Sequence, residues 1–134
     1  MLICVLGNIG SGKTTISYAL KNYLQEYQLI ILDEYRFKFN EKNTHNGEVN
    51  AQNQMIKDLE KYKNVILECT GTGKCFREYI FAYSSSFPDE KIKKFKLVVP
   101  MNELHKRIKQ RTRNGYKKPP FPYSELKAKP ITVL

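Results

Sequence analysis

The chain has 134 residues and a formal net charge of +10 at pH 7. This length suits one domain with a single hydrophobic core, so we predict that residues 1–134 form one domain without a second module. No stretch approaches the roughly twenty apolar residues of a membrane span, and the N-terminal apolar run is too short for a signal peptide. We therefore expect a cytoplasmic protein with no membrane contact.

The positive charge is concentrated in the last third of the chain. Residues 91–134 contain 13 Lys or Arg against two acidic side chains, whereas residues 1–90 contain 10 basic and 11 acidic side chains. A basic segment of this kind favours a polyanionic partner, usually nucleic acid. A lid that binds phosphates, or a coding bias toward lysine, would give the same charge.

The first apolar run, residues 2–6, predicts a buried strand and leads directly into a phosphate-binding motif. The motif has the form GxxxxGK[ST] and precedes a helical pattern; its residues are Gly7, Asn8, Ile9, Gly10, Ser11, Gly12, Lys13, Thr14 and Thr15. Glycines let backbone N–H groups turn toward a phosphate, and a Cβ at Gly7 or Gly12 would obstruct that path. The helix N-terminus adds its positive dipole end. Lys13 reaches the β- and γ-phosphate oxygens and Thr14 ligates Mg²⁺, so the motif predicts ATP and Mg²⁺ binding.

A second apolar strand, residues 29–32, is followed at once by a charged stretch, Asp33-Glu34-Tyr35-Arg36. Ligands of open α/β sheets lie beyond the carboxyl ends of the strands. We therefore expect these side chains in the same crevice as the phosphate-binding loop.

Residues 38–50 are polar, rich in asparagine and without a hydrophobic period. They predict a loop over the site that receives the acceptor substrate. His45 lies in this stretch and is interpreted as a solvated surface residue. Apolar residues at helical spacing then predict a helix over about 50–63.

A third apolar strand, residues 65–67, ends at Glu68. A carboxylate at the end of a buried strand is typical of the second P-loop motif, which binds Mg²⁺ through water. The Gly-rich stretch 70–74 that follows predicts a turn that caps the next helix, with a second phosphate loop as the alternative. In a second phosphate loop Lys74 would contact a phosphate, and the sequence does not decide whether it does.

The C-terminal part predicts a strand at about 95–99, a helix over 101–113 and a fifth strand at 131–134. Arg107 and Arg111 are four residues apart on one face of that helix, where like charges repel by a few tenths of a kcal/mol. A phosphate between them would remove this penalty. We interpret about 107–122 as a lid, and whether Arg113 takes part stays open.

Strands and helices alternate along the chain, which predicts an α/β fold. We expect a P-loop NTPase-type three-layer sandwich, with a parallel sheet of about five strands and helices on both faces. A GTPase is disfavoured because the chain contains neither a DxxG nor an NKxD string. Small kinases combine a P-loop, an acceptor-side base and an arginine-bearing lid, and this chain has candidates for all three.

Over about residues 1–115 the chain resembles the kinase module of phage-type 5′-polynucleotide kinases. Four motifs match in order and spacing: the P-loop, the Asp33-to-Arg36 string, the strand that ends at Glu68, and the helix segment 103–111. The resemblance implies an ATP-dependent kinase, a phosphotransferase with an alcohol acceptor. The acceptor would be a hydroxyl of DNA or RNA, either a 5′-hydroxyl end or, as in the related hydroxymethyluracil DNA kinases, a hydroxymethylated base.

The same resemblance implies roles for individual residues. Asp33 corresponds to the general base, Arg36 to the contact with the acceptor phosphate, and Arg107 and Arg111 to the lid arginines that stabilise the transferring phosphoryl group. With Lys13 these form the predicted catalytic and acceptor-binding set, and Thr14 and Glu68 form the predicted Mg²⁺ set. At the position of Glu68 that family has aspartate, so the contact made by the longer side chain is open.

Two alternatives remain at this stage. The P-loop and the segment 107–113 are also similar to deoxynucleoside kinases, which phosphorylate free small molecules. Those enzymes are longer, and they have Glu-Arg where this chain has Glu68-Cys69. The second alternative is a non-catalytic module that binds ATP to regulate a partner. The acceptor, the preference for ATP over GTP and the oligomeric state are not specified by the sequence.

Overall fold

The computed structural model describes residues 1–8 and 10–113, and only the backbone of residues 111–113. Its strands are β1 (Leu2–Gly7), β2 (Gln28–Ile31), β3 (Val65–Cys69) and β4 (Ile92–Leu97), and its helices are α1 (Lys13–Tyr23), α2 (Leu32–Phe39), α3 (His45–Lys61), α4 (Gly73–Ser86) and α5 (Met101–Arg113). Ile9, the part of the predicted lid beyond residue 113 and the predicted fifth strand at 131–134 lie outside the described residues.

The described strands form one parallel sheet in the order β2-β3-β1-β4. Alternate residues of β1 face opposite sides, as expected for a strand covered on both faces. Leu2, Cys4 and Leu6 belong to one core with residues of α3 and α4. Ile3 and Val5 belong to a second core with residues around α1. The predicted α/β fold with helices on both faces is confirmed.

The connections determine where a ligand crevice forms. The β1–β2 connection runs through α1 on one face of the sheet, whereas the later connections return in the opposite direction over the other face. Reversing both the direction and the face preserves the hand of the crossovers, as parallel sheets require. The chain therefore leaves the neighbouring strands β1 and β3 in opposite directions, which creates a crevice at their carboxyl ends.

The predicted loop over 38–50 is wrong for most of its length. Helix α2 continues to Phe39 and α3 begins at His45, which leaves only 40–44 between the two helices. Thr44 caps α3 by accepting a hydrogen bond from the Gly47 backbone N–H at 3.0 Å. This cap starts the helix in polar sequence without an apolar period. His45 is exposed, as expected, but it lies in the first turn of a helix.

The charged stretch after the second strand lies in a helix. Strand β2 ends at Ile31, and α2 begins at Leu32 without an intervening loop. Asp33 and Glu34 consequently lie in the first turn of α2, where acidic side chains interact favourably with the helix dipole.

Across the described residues, no helix is both long and apolar enough to cross a bilayer.

Candidate active site

The phosphate-binding loop joins β1 to α1 at the crevice between β1 and β3. A Cβ on Gly7 would lie 2.3 Å from the Ser11 Oγ, so a side chain at this position would force Ser11 to shift. At Gly12 the reason is different: an added Cβ meets nothing within 4 Å, but the residue has a φ of +92°, which side chains rarely adopt. Gly12 is also the N-cap of α1, so the N-terminal N–H groups of α1 lie at the end of the loop.

Lys13 and Thr14 meet Glu68 at the centre of the sheet edge. The Thr14 Oγ1 donates a hydrogen bond to the Glu68 Oε1 at 3.0 Å, and the Lys13 Nζ lies 3.9 Å from the same oxygen. Glu68 is 2% exposed and Lys13 8% exposed. Thr14 and Glu68, which come from separate predicted motifs and are 54 positions apart in the sequence, are thus in direct contact.

The Glu68 carboxylate has an unusual environment for a charged group. Burial raises its pKa above the ordinary value, and the nearby Lys13 charge opposes that rise without cancelling it. Its Oε2 is buried and has no hydrogen-bond partner within the described part of the chain. A buried oxygen of this kind costs stability unless a ligand satisfies it.

These residues fit the predicted Mg²⁺ site. Magnesium is usually held by one or two protein oxygens together with substrate phosphates and water, and Thr14 and Glu68 provide such oxygens beside the loop. No cluster of three or more His, Cys, Asp or Glu suited to a metal occurs among the described residues, so the chain has no all-protein metal cage there. The Ser11 Oγ is a further buried polar atom without a partner, at the loop where phosphate oxygens are expected.

Asp33 and Arg36 form an ion pair in the first two turns of α2. The Arg36 Nη1 is 3.3 Å from the Asp33 Oδ1, and both side chains are partly exposed. The negative charge of Asp33 also acts on Glu68, whose pKa it helps to raise. The structure therefore brings Asp33 near the Lys13–Glu68 pair, as the sequence predicted.

Arg36 has a stronger partner that the sequence did not suggest. Its guanidinium forms a bidentate pair with Glu48 of α3, with N–O distances of 2.8–3.0 Å. Glu48 lies in the segment that was predicted to be a loop. Thr44, a favoured N-cap residue type four positions before it, is the local signal for a helix that starts ahead of Glu48.

Helix α5 lies against the phosphate-binding loop. The Arg107 Nη1 donates to the Gly10 carbonyl oxygen at 2.8 Å, and its Nε donates to the Glu103 Oε1 at 3.1 Å. Leu104 and Ile108 of this helix are buried and lie within 4 Å of the position of a Cβ on Gly10. Arg107 is thus beside the loop, whereas the side chains of Arg111 and Arg113 lie outside the described residues.

Lys74 does not join this site. Its side chain is 83% exposed and pairs with Glu78 one turn further along α4, at 3.9 Å. The preceding Gly-rich stretch ends at the N-terminus of α4, as predicted for a capping turn, although the N-cap Thr72 makes no side-chain cap hydrogen bond.

No protein-family model matches the sequence, and no curated protein matches it either. Solved structures with the same fold include an inferred kinase from Chloroflexus aurantiacus, with a TM-score of 0.68 and 22% identity over 85% of this chain and 68% of that chain. A sugar kinase from Janibacter has a TM-score of 0.61 and 18% identity, over 89% of this chain and 70% of its own. A chain of the Pnkp1/Rnl/Hen1 RNA repair complex has a TM-score of 0.62 and 19% identity, over 99% of this chain and 49% of its own. At these identities the likeness establishes the fold.

The raised pKa of Glu68 predicts a pH-dependent effect of Glu68→Gln on stability. Below the ordinary pKa of 4.5 the carboxyl group is protonated in both the folded and the unfolded chain, so its ionisation does not change the free energy of unfolding. As the pH rises above 4.5, the unfolded chain ionises first, so the wild-type protein loses stability relative to the variant until the folded-state pKa is passed. Denaturant unfolding of both proteins between pH 4 and pH 8 measures this difference.

Glu26→Gln, which removes an exposed carboxylate from the loop after α1, is the matched control for the loss of one negative charge. A stability difference between wild type and Glu68→Gln that stays constant from pH 4 to pH 8 would show that burial does not act on this carboxylate.

Proposed function

We propose that this protein is an ATP-dependent kinase that transfers the γ-phosphoryl group to a hydroxyl of a nucleic-acid acceptor. The observation that carries the proposal is the contact of Lys13 and Thr14 with the buried Glu68 at the carboxyl end of the sheet. A phosphate-binding loop can occur without chemistry. A buried carboxylate next to its lysine and threonine supplies the part that a phosphoryl-transfer site needs for Mg²⁺.

The donor half of the proposed site consists of the loop from Gly7 to Thr15 and Glu68. Backbone N–H groups of the loop and the Lys13 ammonium bind the β- and γ-phosphates, while Thr14 and Glu68 hold Mg²⁺. Mg²⁺ held there would supply positive charge that neutralises negative charge developing on the phosphate oxygens during transfer. The low exposure of Lys13 and Glu68 strengthens their electrostatic action because little water screens it.

The acceptor half is proposed to contain Asp33 and Arg36. The bond between the γ-phosphorus and the β–γ bridging oxygen breaks, and a bond from the acceptor oxygen to the same phosphorus forms. The hydroxyl proton passes to the Asp33 carboxylate, whose contribution as a general base is about 10²–10⁴-fold in rate. Arg36 contacts a phosphate of the acceptor and orients the hydroxyl for in-line attack.

Arg107 and Arg111 are proposed to stabilise the transferring phosphoryl group. Arg107 starts from a favourable position, because its guanidinium already donates to the carbonyl of Gly10 in the loop. Arg107 also pairs with Glu103 in the same helix. This pairing offsets the repulsion between Arg107 and Arg111, so the spacing of the two arginines does not by itself require a bound phosphate. Arginines in this role contribute about 10³–10⁵ in rate.

Charge favours nucleic acid as the acceptor. The net charge of +10 arises from residues 91–134, and the lysines of β4 (Lys93, Lys94 and Lys96) are exposed. The likeness to a chain of an RNA repair complex supports the same reading. The likeness to a sugar kinase supports a second candidate, a small-molecule hydroxyl acceptor such as a sugar or a nucleoside, on the same donor site.

Lys13→Ala is expected to reduce phosphoryl transfer by about 10²-fold or more, since it removes the positive charge that acts on the transferring phosphate. Transfer is measured with γ-labelled ATP and an oligonucleotide that carries a 5′-hydroxyl. Lys57→Ala, at an exposed position of α3, is the control and should retain wild-type activity. Full activity in the Lys13→Ala protein would contradict the proposed donor site.

The acceptor class follows from incubating labelled ATP with 5′-hydroxyl oligonucleotides, hydroxymethyluracil DNA, free nucleosides and sugars. We expect label on nucleic acid, with an acceptor KM that rises steeply between about 50 and 200 mM salt because phosphate contacts release counterions. Label on a nucleoside or sugar alone, with a KM insensitive to salt, would favour the small-molecule candidate. Tight ATP binding without label on any acceptor would favour a regulatory module.

A further inference from the structure

A bidentate ion pair joins α2 to the first turn of α3. The Nε of Arg36 lies 3.0 Å from both carboxylate oxygens of Glu48, and its Nη2 lies 2.8 Å from the Glu48 Oε1. Glu48 therefore occupies the side edge of the planar guanidinium, a geometry that fixes the orientation of the fork. The remaining nitrogen, Nη1, donates to the Asp33 Oδ1. Arg36 thus links Glu48 to the proposed general base.

Glu48 is itself fixed by its surroundings. The Gln52 Nε2 donates to the Glu48 Oε1 at 2.8 Å, and Asn40 adds a further hydrogen bond. Asn40 is 6% exposed, and its Oδ1 accepts from the backbone N–H of Thr44, the N-cap of α3. Burial alone would raise the pKa of Glu48, but the hydrogen bonds from Arg36 and Gln52 lower it below its ordinary value. The carboxylate is therefore held ionised as well as oriented.

We infer that Glu48 is the positioning residue of the acceptor half: it holds the Arg36 guanidinium so that Arg36 and Asp33 together face a phosphodiester-bearing acceptor. The inference rests on the proposed function and adds a positioning residue, Glu48, to it. Nη1 and Nη2 of Arg36 each carry a second N–H that the two carboxylates do not engage. Those N–H groups match the oxygens of a phosphate next to the reacting hydroxyl.

A purely structural role explains this network less well. The side chains of Arg36 and Glu48 are 35% and 32% exposed, and solvent near an ion pair weakens its contribution to stability. The α2–α3 contact has a separate hydrogen bond, in which the Tyr35 hydroxyl donates to Asp58. The four hydrogen bonds on Glu48 from Arg36 and Gln52 therefore serve the orientation of the guanidinium more than the packing of the helices.

The test is Glu48→Gln in the full chain, with the steady-state KM for ATP and for a 5′-hydroxyl oligonucleotide measured alongside the melting temperature. We expect the acceptor KM to rise about 10–100-fold with the KM for ATP within about twofold, because a misplaced guanidinium affects the acceptor alone. Glu48→Asp, which keeps the charge, should recover part of the loss. Glu60→Gln, on an exposed position of the same helix, should match wild type.

Each other outcome contradicts the inference in a distinct way. An unchanged acceptor KM with a lower melting temperature would make Glu48 a structural residue only. A lower acceptor KM would mean that Glu48 competes with the acceptor for Arg36. If the wild-type chain itself transfers phosphate to no acceptor, the proposed function fails and the inference fails with it; an active wild type with an unaffected Glu48→Gln variant defeats the positioning role alone.

Discussion

The burial of the Glu68 carboxylate beside Lys13 is the interaction on which the rest of the site depends. Glu68 lies opposite Val5 on one neighbouring strand and Ile31 on the other, so pairing on both sides fixes the face of the sheet from which its side chain projects. Its nearest cation is 3.9 Å away, and an ion pair at that distance recovers only part of the cost of desolvating two charges. The folded chain therefore carries an unfavourable group at its centre, which a bound cation would stabilise.

The other parts of the crevice are arranged around this pair. The first turn of α1 contributes Lys13 and Thr14, the charge of Asp33 in α2 helps to raise the pKa of Glu68, and Arg107 of α5 donates to the carbonyl of Gly10 in the loop. The buried Ser11 Oγ and Glu68 Oε2, both without partners in the described part of the chain, lie where phosphate and metal are expected. Stability and ligand binding are thus opposed at the same atoms, as is common at active sites.

The sequence was sufficient for the parts of the site that rest on local pattern. The strand-to-helix context of the P-loop was predicted correctly, β3 ends one residue beyond Glu68, and α5 begins at Met101 as predicted. The start of α3 was missed because asparagine-rich sequence has no hydrophobic period and the helix depends on the Thr44 cap. The pairing of Glu48 with Arg36 could not be predicted either, since it joins two helices and depends on how their faces meet.

The central claim is that Lys13, Thr14 and Glu68 together form a site for ATP with Mg²⁺. Calorimetric titration of the full chain with ATP, with Mg²⁺ present or replaced by a chelator, tests it most directly. The account predicts one ATP per chain and an affinity at least about tenfold higher with Mg²⁺, which corresponds to about 1.4 kcal/mol. Absence of ATP binding, or equal affinity with and without Mg²⁺, would contradict it.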